Sequence, residues 1–157
     1  MKATKQLYWE DVKVTDEIPP LSKIATTQML VKWAGAVGDY NPHHFEDNFS
    51  EKVMKTNGVI LHGSLKRAWL ALMLTDWIGT EGWLKQLTTQ FRGMDYPRHM
   101  KDFVTPEDGE TWWCKGKVTE KVEENGEAIV KCEIWLENGS GEHTTPGSAV
   151  VRLPKRG

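Results

Sequence analysis

Three short stretches carry residue types able to do chemistry: Gly38-Asp39-Tyr40-Asn41-Pro42-His43-His44, Leu61-His62-Gly63-Ser64 and Phe91-Arg92. In the first, the acid Asp39 and the imidazole of His44 lie five residues apart. Pro42 pushes Asn41 toward an extended backbone and stiffens the turn between them. A histidine titrates near neutral pH, so it takes or gives a proton at little cost. A carboxylate pointed into the same pocket can share a water with it, and the pair then suits general acid–base chemistry. The same residues have a plainer reading. Gly, Asp, Asn and Pro are the common turn formers, and on composition alone a helix C-cap followed by a turn is the stronger interpretation.

The elements that must position these stretches are legible on either side. Leu30, Trp33, Ala34 and Val37 recur at helical spacing, so residues 27–37 read as a short helix. Thr26 or Thr27 can cap its start, and Gly38 stands where a helix-ending glycine belongs. Residues 39–56 are polar and turn-rich, with one helical turn expected near 47–53. The longest helix is expected over 63–78. Leu65, Ala68, Trp69, Leu72 and Met73 form one stripe, and Leu70, Ala71, Leu74, Trp77 and Ile78 fill much of the other side. A helix apolar nearly all round must be buried on several sides, which in a small domain calls for a sheet that wraps it.

The second half of the chain supplies that sheet. Trp112, Cys114, Gly116 and Val118 alternate with polar neighbours, as do Ala128, Val130, Cys132, Ile134 and Leu136, and then Ala149, Val151 and Leu153. Period-two patterns mark half-buried strands. Asn125-Gly126 signals a tight hairpin, because a primed turn needs positive φ at both central residues. Residues 138–141 read as a second turn and 84–91 as a further strand. The expected fold class is α+β: an antiparallel sheet wrapped around a long central apolar helix, the hot-dog arrangement, in one domain over 1–157.

Composition narrows the function classes. With 20 basic against 22 acidic residues, mixed along the chain, no stripe favours nucleic acid or an anionic membrane. The most apolar stretch, 68–78, is broken by Thr75 and Asp76 and is too short to span a bilayer. The first residues, MKATKQLYWED, lack the apolar core of a secretion signal, and the last four carry no targeting signal. Cys114 and Cys132 match no zinc spacing, and no metal is expected. They read as buried free thiols, consistent with a cytoplasmic setting. Eight tryptophans are many for 157 residues, and some are expected to line a ligand site or a subunit contact.

Gly-Asp-x-Asn-Pro-x-His, followed by His-Gly at the head of a long apolar helix, resembles the MaoC-like or R-specific enoyl-CoA hydratase family. The resemblance runs from about Thr27 to Arg92; the later strands fit in pattern only. It implies a hot-dog fold and reversible addition of water to a trans-2-enoyl thioester, giving the (R)-3-hydroxyacyl thioester. Asp39 and His44 match the family's catalytic pair, Asn41 the residue that braces the loop, and Gly63 the residue whose backbone N–H binds the thioester oxygen. Helix starts have free N–H groups and partial positive charge, so that last role has independent physical support. A thioester enolate needs such donors as charge builds on its oxygen.

The chain departs from the family's pattern at several positions. His43 stands where an apolar residue is usual, and is the alternative catalytic imidazole, although the spacing favours His44. Glu46 and Asp47 stand near the place of a common Asp, Ser64 replaces a usual Met, and Lys66 and Arg67 interrupt the first turns of the helix. His62 has two readings, a second catalytic imidazole or, favoured, a structural residue that fixes the helix start by hydrogen bonds. His99 and His143 lie in polar stretches and are expected to be solvated. Lys66, Arg67, Arg92 and Arg98 can meet carrier phosphates, though each is more often a surface charge or an ion-pair member. No cofactor is expected beyond the substrate's own carrier, coenzyme A or an acyl carrier protein. A homodimer or higher homo-oligomer is expected, with a heterodimer open. The competing functions are a hot-dog acyl thioesterase and one subunit of a heteromeric dehydratase.

Overall fold

The computed structural model describes residues 5–157. Its first strand, β1 (Glu17–Lys23), leads into helix α1 (Thr27–Val37). The side chain of Thr26 accepts from the Met29 N–H at 3.1 Å and so caps the helix. Gly38 ends it in the left-handed region, φ 72°, and its N–H donates to Ala34 O at 2.9 Å. Between α1 and the long helix run a 3-10 turn (Pro42–His44), the short α2 (Asp47–Phe49) and a π turn (Ser50–Met54). Helix α3 (Gly63–Ile78) follows, then β2 (Trp83–Thr89), β3 (Trp112–Glu124), β4 (Glu127–Glu137) and β5 (His143–Arg152).

The five strands form one sheet in the order β1-β3-β4-β5-β2, antiparallel at every pairing. Its inner face carries the alternation expected from sequence. Trp112, Cys114 and Val118 of β3, Val130, Cys132, Ile134 and Leu136 of β4, and Ala149 and Val151 of β5 are buried in one core with α3. The β3–β4 hairpin turns at Asn125 and Gly126, both at positive φ (52° and 81°), as a primed turn requires. Cys114 and Cys132 are free and buried, and burial pushes each thiol up to about 12. No helix among the described residues is long and apolar enough to cross a membrane.

Two features differ from expectation. Helix α3 is not enclosed. It buries Leu65, Lys66, Trp69, Leu70, Met73, Leu74 and Ile78 along one broad face, while Leu72 is 40% exposed. The sheet curls over that face only, so residues on the far side, apolar or not, meet solvent. Strand β1 has no counterpart in the sequence reading, because Pro19-Pro20 breaks the strand signal. Proline lacks the N–H a ladder needs and is confined to edges and irregular positions. β1 is such an edge, and its register with β3 shifts between Ile18 and Leu21. A curled antiparallel sheet packed on one long helix is the hot-dog fold.

Candidate active site

The loop after α1 is fastened at both ends of residue 60. The Ile60 N–H donates to His43 O at 3.0 Å, and Ile60 O accepts from His44 Nδ1 at 2.7 Å. That second bond sets the tautomer. With the proton on Nδ1, His44 Nε2 keeps its lone pair, and this atom lies 3.8 Å from Asp39 Oδ2. The other carboxylate oxygen, Oδ1, accepts from Asn41 Nδ2 at 2.5 Å and from the Asn41 N–H at 3.4 Å. Asn41 therefore braces Asp39 from within the turn, while Pro42 starts the 3-10 turn that swings His44 back toward it.

The pair is too far apart for a direct bond, yet close enough for one water to bond both atoms at about 2.8 Å. Asp39 keeps one-third of its side chain exposed, whereas His44 is 8% exposed. Burial pushes His44 down to about 4, helped by the neighbouring imidazoles of His62 and His43 and opposed by the Ile60 bond and Asp39. Burial also acts to raise Asp39, but the hydrogen bonds from Asn41 and the nearby imidazoles outweigh it and hold the carboxyl below its ordinary value. Near neutral pH the site is thus a carboxylate beside a neutral imidazole, two proton acceptors facing one space.

His62 completes the cluster in a way the sequence did not show. It stands at the N-cap of α3, but its side chain makes no capping bond. Its ring stacks on His44 with centroids 3.7 Å apart and planes 19° from parallel, and its Nε2 donates to Asp39 O at 3.3 Å. The ring is fully buried, and burial is the main cause of its lowered pKa. His62 thus anchors the Asp39 backbone and floors the His44 ring. His43 tilts against the outer side of His44, with centroids 4.0 Å apart. Asp39, His44 and His62 offer ligand atoms within 4.8 Å of one another. Imidazole lone pairs lie in the ring plane, however, and two stacked planes do not aim them at a common point. The geometry suits a shared water or proton better than a cation.

Gly63 begins α3 beside these groups. The N–H groups of Leu65 and Lys66 both turn back to His62 O, while those of Gly63 and Ser64 meet no acceptor among the described residues. The Ser64 hydroxyl accepts from Trp33 Nε1 at 2.9 Å and ties the start of α3 to α1. A Cβ on Gly63 would lie 2.8 Å from two carbons of the Phe91 ring, so any larger residue must displace that ring. His44 and Gly63 share a cavity of about 350 Å³, lined also by His43, Ile60, Lys66 and Phe91. A larger depression of about 480 Å³ between Glu81 and Arg152 brings together no comparable acid–base pair.

The basic residues named from sequence part company. Lys66 is buried against Asp95 at 2.7 Å, and Arg98 donates to the carbonyls of Gly109 and Glu110 and to Thr111, so both are structurally engaged. Arg92 is exposed at the cavity and bonds Gln90; Arg67 is exposed. His99 is exposed, and His143 is half-exposed and stacked on Trp135. Asp95 and the placement of Phe91 over Gly63 had no sequence signal.

No protein-family model matches the chain, and no curated protein matches it in sequence. Its fold has close counterparts among solved structures. The unliganded R-hydratase PhaJ1 from Pseudomonas aeruginosa superposes with a TM-score of 0.78 over 96% of this chain and 88% of that one, at 19% identity. A MaoC-like dehydratase from Rhodospirillum rubrum gives 0.74 over 96% and 99%, at 17% identity. The ChsH1–ChsH2 complex from Mycobacterium tuberculosis gives 0.72 over 90% and 98%, at 15% identity. At these identities the likeness establishes the hot-dog fold.

Proposed function

We propose that the chain is a MaoC-like hydratase/dehydratase that adds water reversibly to a trans-2-enoyl thioester and yields the (R)-3-hydroxyacyl thioester. The observation that carries this reading is the juxtaposition of Asp39 Oδ2 and His44 Nε2, 3.8 Å apart, with the Gly63 N–H, unpartnered among the described residues, on the cavity that His44 also lines. Hydration needs these three things together. A water held between the two acceptors attacks C3 and passes one proton to His44 Nε2, while its remaining hydrogen stays bonded to Asp39. The C2=C3 electrons move toward the thioester oxygen, where the Gly63 N–H receives the developing charge. The protonated His44, a strong acid at this buried site, then gives its proton to C2. Dehydration is the reverse.

The hydratase and dehydratase names of the structural neighbours support the same reading, and the stereochemistry is carried over from them. The acyl group rides on coenzyme A or an acyl carrier protein, with Arg92 at the cavity available to carrier phosphate. The active species is proposed to be a homo-oligomer, or one half of a heteromeric pair of the kind the ChsH1–ChsH2 complex represents. The test is ultraviolet absorbance with crotonyl-CoA and a longer trans-2-enoyl-CoA, beside a thiol reagent. Loss of the conjugated enoyl band without free thiol is expected. Release of thiol instead would make the protein a thioesterase.

A further inference from the structure

Lys66 is 3% exposed on the apolar face of α3, between Leu65 and Trp69, where a leucine would pack at no electrostatic cost. Its Nζ donates to Asp95 Oδ2 at 2.7 Å and to Gly93 O at 2.9 Å. Asp95 Oδ1 accepts from the indole N–H of the fully buried Trp112 at 2.9 Å, and Asp95 O accepts from the Leu61 N–H at 2.9 Å. An ion pair this deep is seldom favoured over apolar packing on stability grounds, because both ions lose their hydration. Its retention calls for another account.

The pair has a direction. Lys66 lines the cavity with His44 and Gly63, whereas Asp95 reaches toward Trp112 in the core. The ammonium lies 5.9 Å from the centre of the Phe91 ring that covers Gly63, so the positive end of the pair is the end nearer the place where hydration would build negative charge. The same bonds hold Gly93 and Asp95 against α3 and Leu61, and so fix the loop that sets Phe91 over Gly63.

We infer that Lys66, oriented by Asp95, is an electrostatic positioning residue of the oxyanion site, strengthening the Gly63 donor as the thioester oxygen becomes an enolate. The inference rests on the hydratase reading. Charge fixed in place before reaction acts without reorganisation, and its removal costs rate rather than substrate affinity.

The decisive variant is the double change Lys66→Gln with Asp95→Asn, which removes both charges and keeps hydrogen-bonding partners. For crotonyl-CoA hydration, kcat is expected to fall about tenfold or more with KM changed less than about threefold, the pattern of a group felt mainly in the transition state. Bound acetoacetyl-CoA should show less enolate absorbance than with wild type. Asp95→Asn alone removes the partner that orients the lysine, so kcat should fall about tenfold there too, with KM changed less than about threefold. If the double variant does not fold, Asp95→Asn decides, and kcat retained within about threefold there would overturn the inference. Wild-type hydration with an unchanged double variant would also overturn it and leave the hydratase reading standing. Absence of hydration by wild type would remove both.

Discussion

Replacing His44 by Asn should change how the stability of the protein depends on pH. In the folded chain burial holds His44 at about 4, against its ordinary 6.5. Between those values the unfolded chain binds a proton that the folded chain does not. Stability therefore falls as pH drops from the unfolded value toward the folded one, and no further below it. At 1.36 kcal/mol per pH unit, the loss is about 3 kcal/mol over the whole window and about 2 kcal/mol by about pH 5. The side chain is 8% exposed, so solvent screening takes little from this figure. Asn cannot titrate and can still donate toward Ile60 O. Urea unfolding of both proteins at about pH 7 and about pH 5 measures the difference, because the groups away from this cluster titrate alike in the two chains. Wild type should lose about 2 kcal/mol more than His44→Asn on acidification. Equal losses would mean that His44 is hydrated and ordinary, and the neutral-imidazole account of the site would fail.

Other consequences are as direct. Gly63→Ala must displace the Phe91 ring from contact at 2.8 Å. Phe91 is half-exposed and can move, so the stability cost should be about 1 kcal/mol, and adding Phe91→Ala should recover it in thermal unfolding. Leu70→Ala, at a fully buried position between α3 and the sheet, should destabilise by about 2–5 kcal/mol in urea titration. Thr26→Ala removes the cap on the Met29 N–H and should cost about 1 kcal/mol, with faster hydrogen exchange over the first turn of α1.

What the sequence revealed followed from local rules. Thr26 and Gly38 bound α1, His62-Gly63 opens α3, and Asn125-Gly126 turns the main hairpin; each is set by backbone chemistry within a few residues. The turn that brings His44 back toward Asp39 was legible for the same reason, since Asn41 and Pro42 act on their immediate neighbours, whereas its acid–base reading came from the family resemblance of the Gly-Asp-x-Asn-Pro-x-His pattern. Strand β1 was hidden because its two prolines read as a break, and only pairing with β3, about a hundred residues away, makes it a strand. Lys66 read as an interruption of an apolar helix because its partner, Asp95, lies 29 residues on. The stacking of His62 under His44 depends on how two loops cross, and no spacing rule encodes that. Leu72 was placed on a buried stripe by its spacing from Leu65, Ala68 and Trp69, although it lies outside the face that the sheet covers.

The central claim is that Asp39 and His44 together add water to an enoyl thioester. Its most direct test is kcat for trans-2-enoyl-CoA hydration by wild type, Asp39→Asn and His44→Ala, each shown to be folded. Each variant should lose at least about 10²-fold in kcat, the low end for a missing general acid or base. Near-wild-type rates in both would contradict the account.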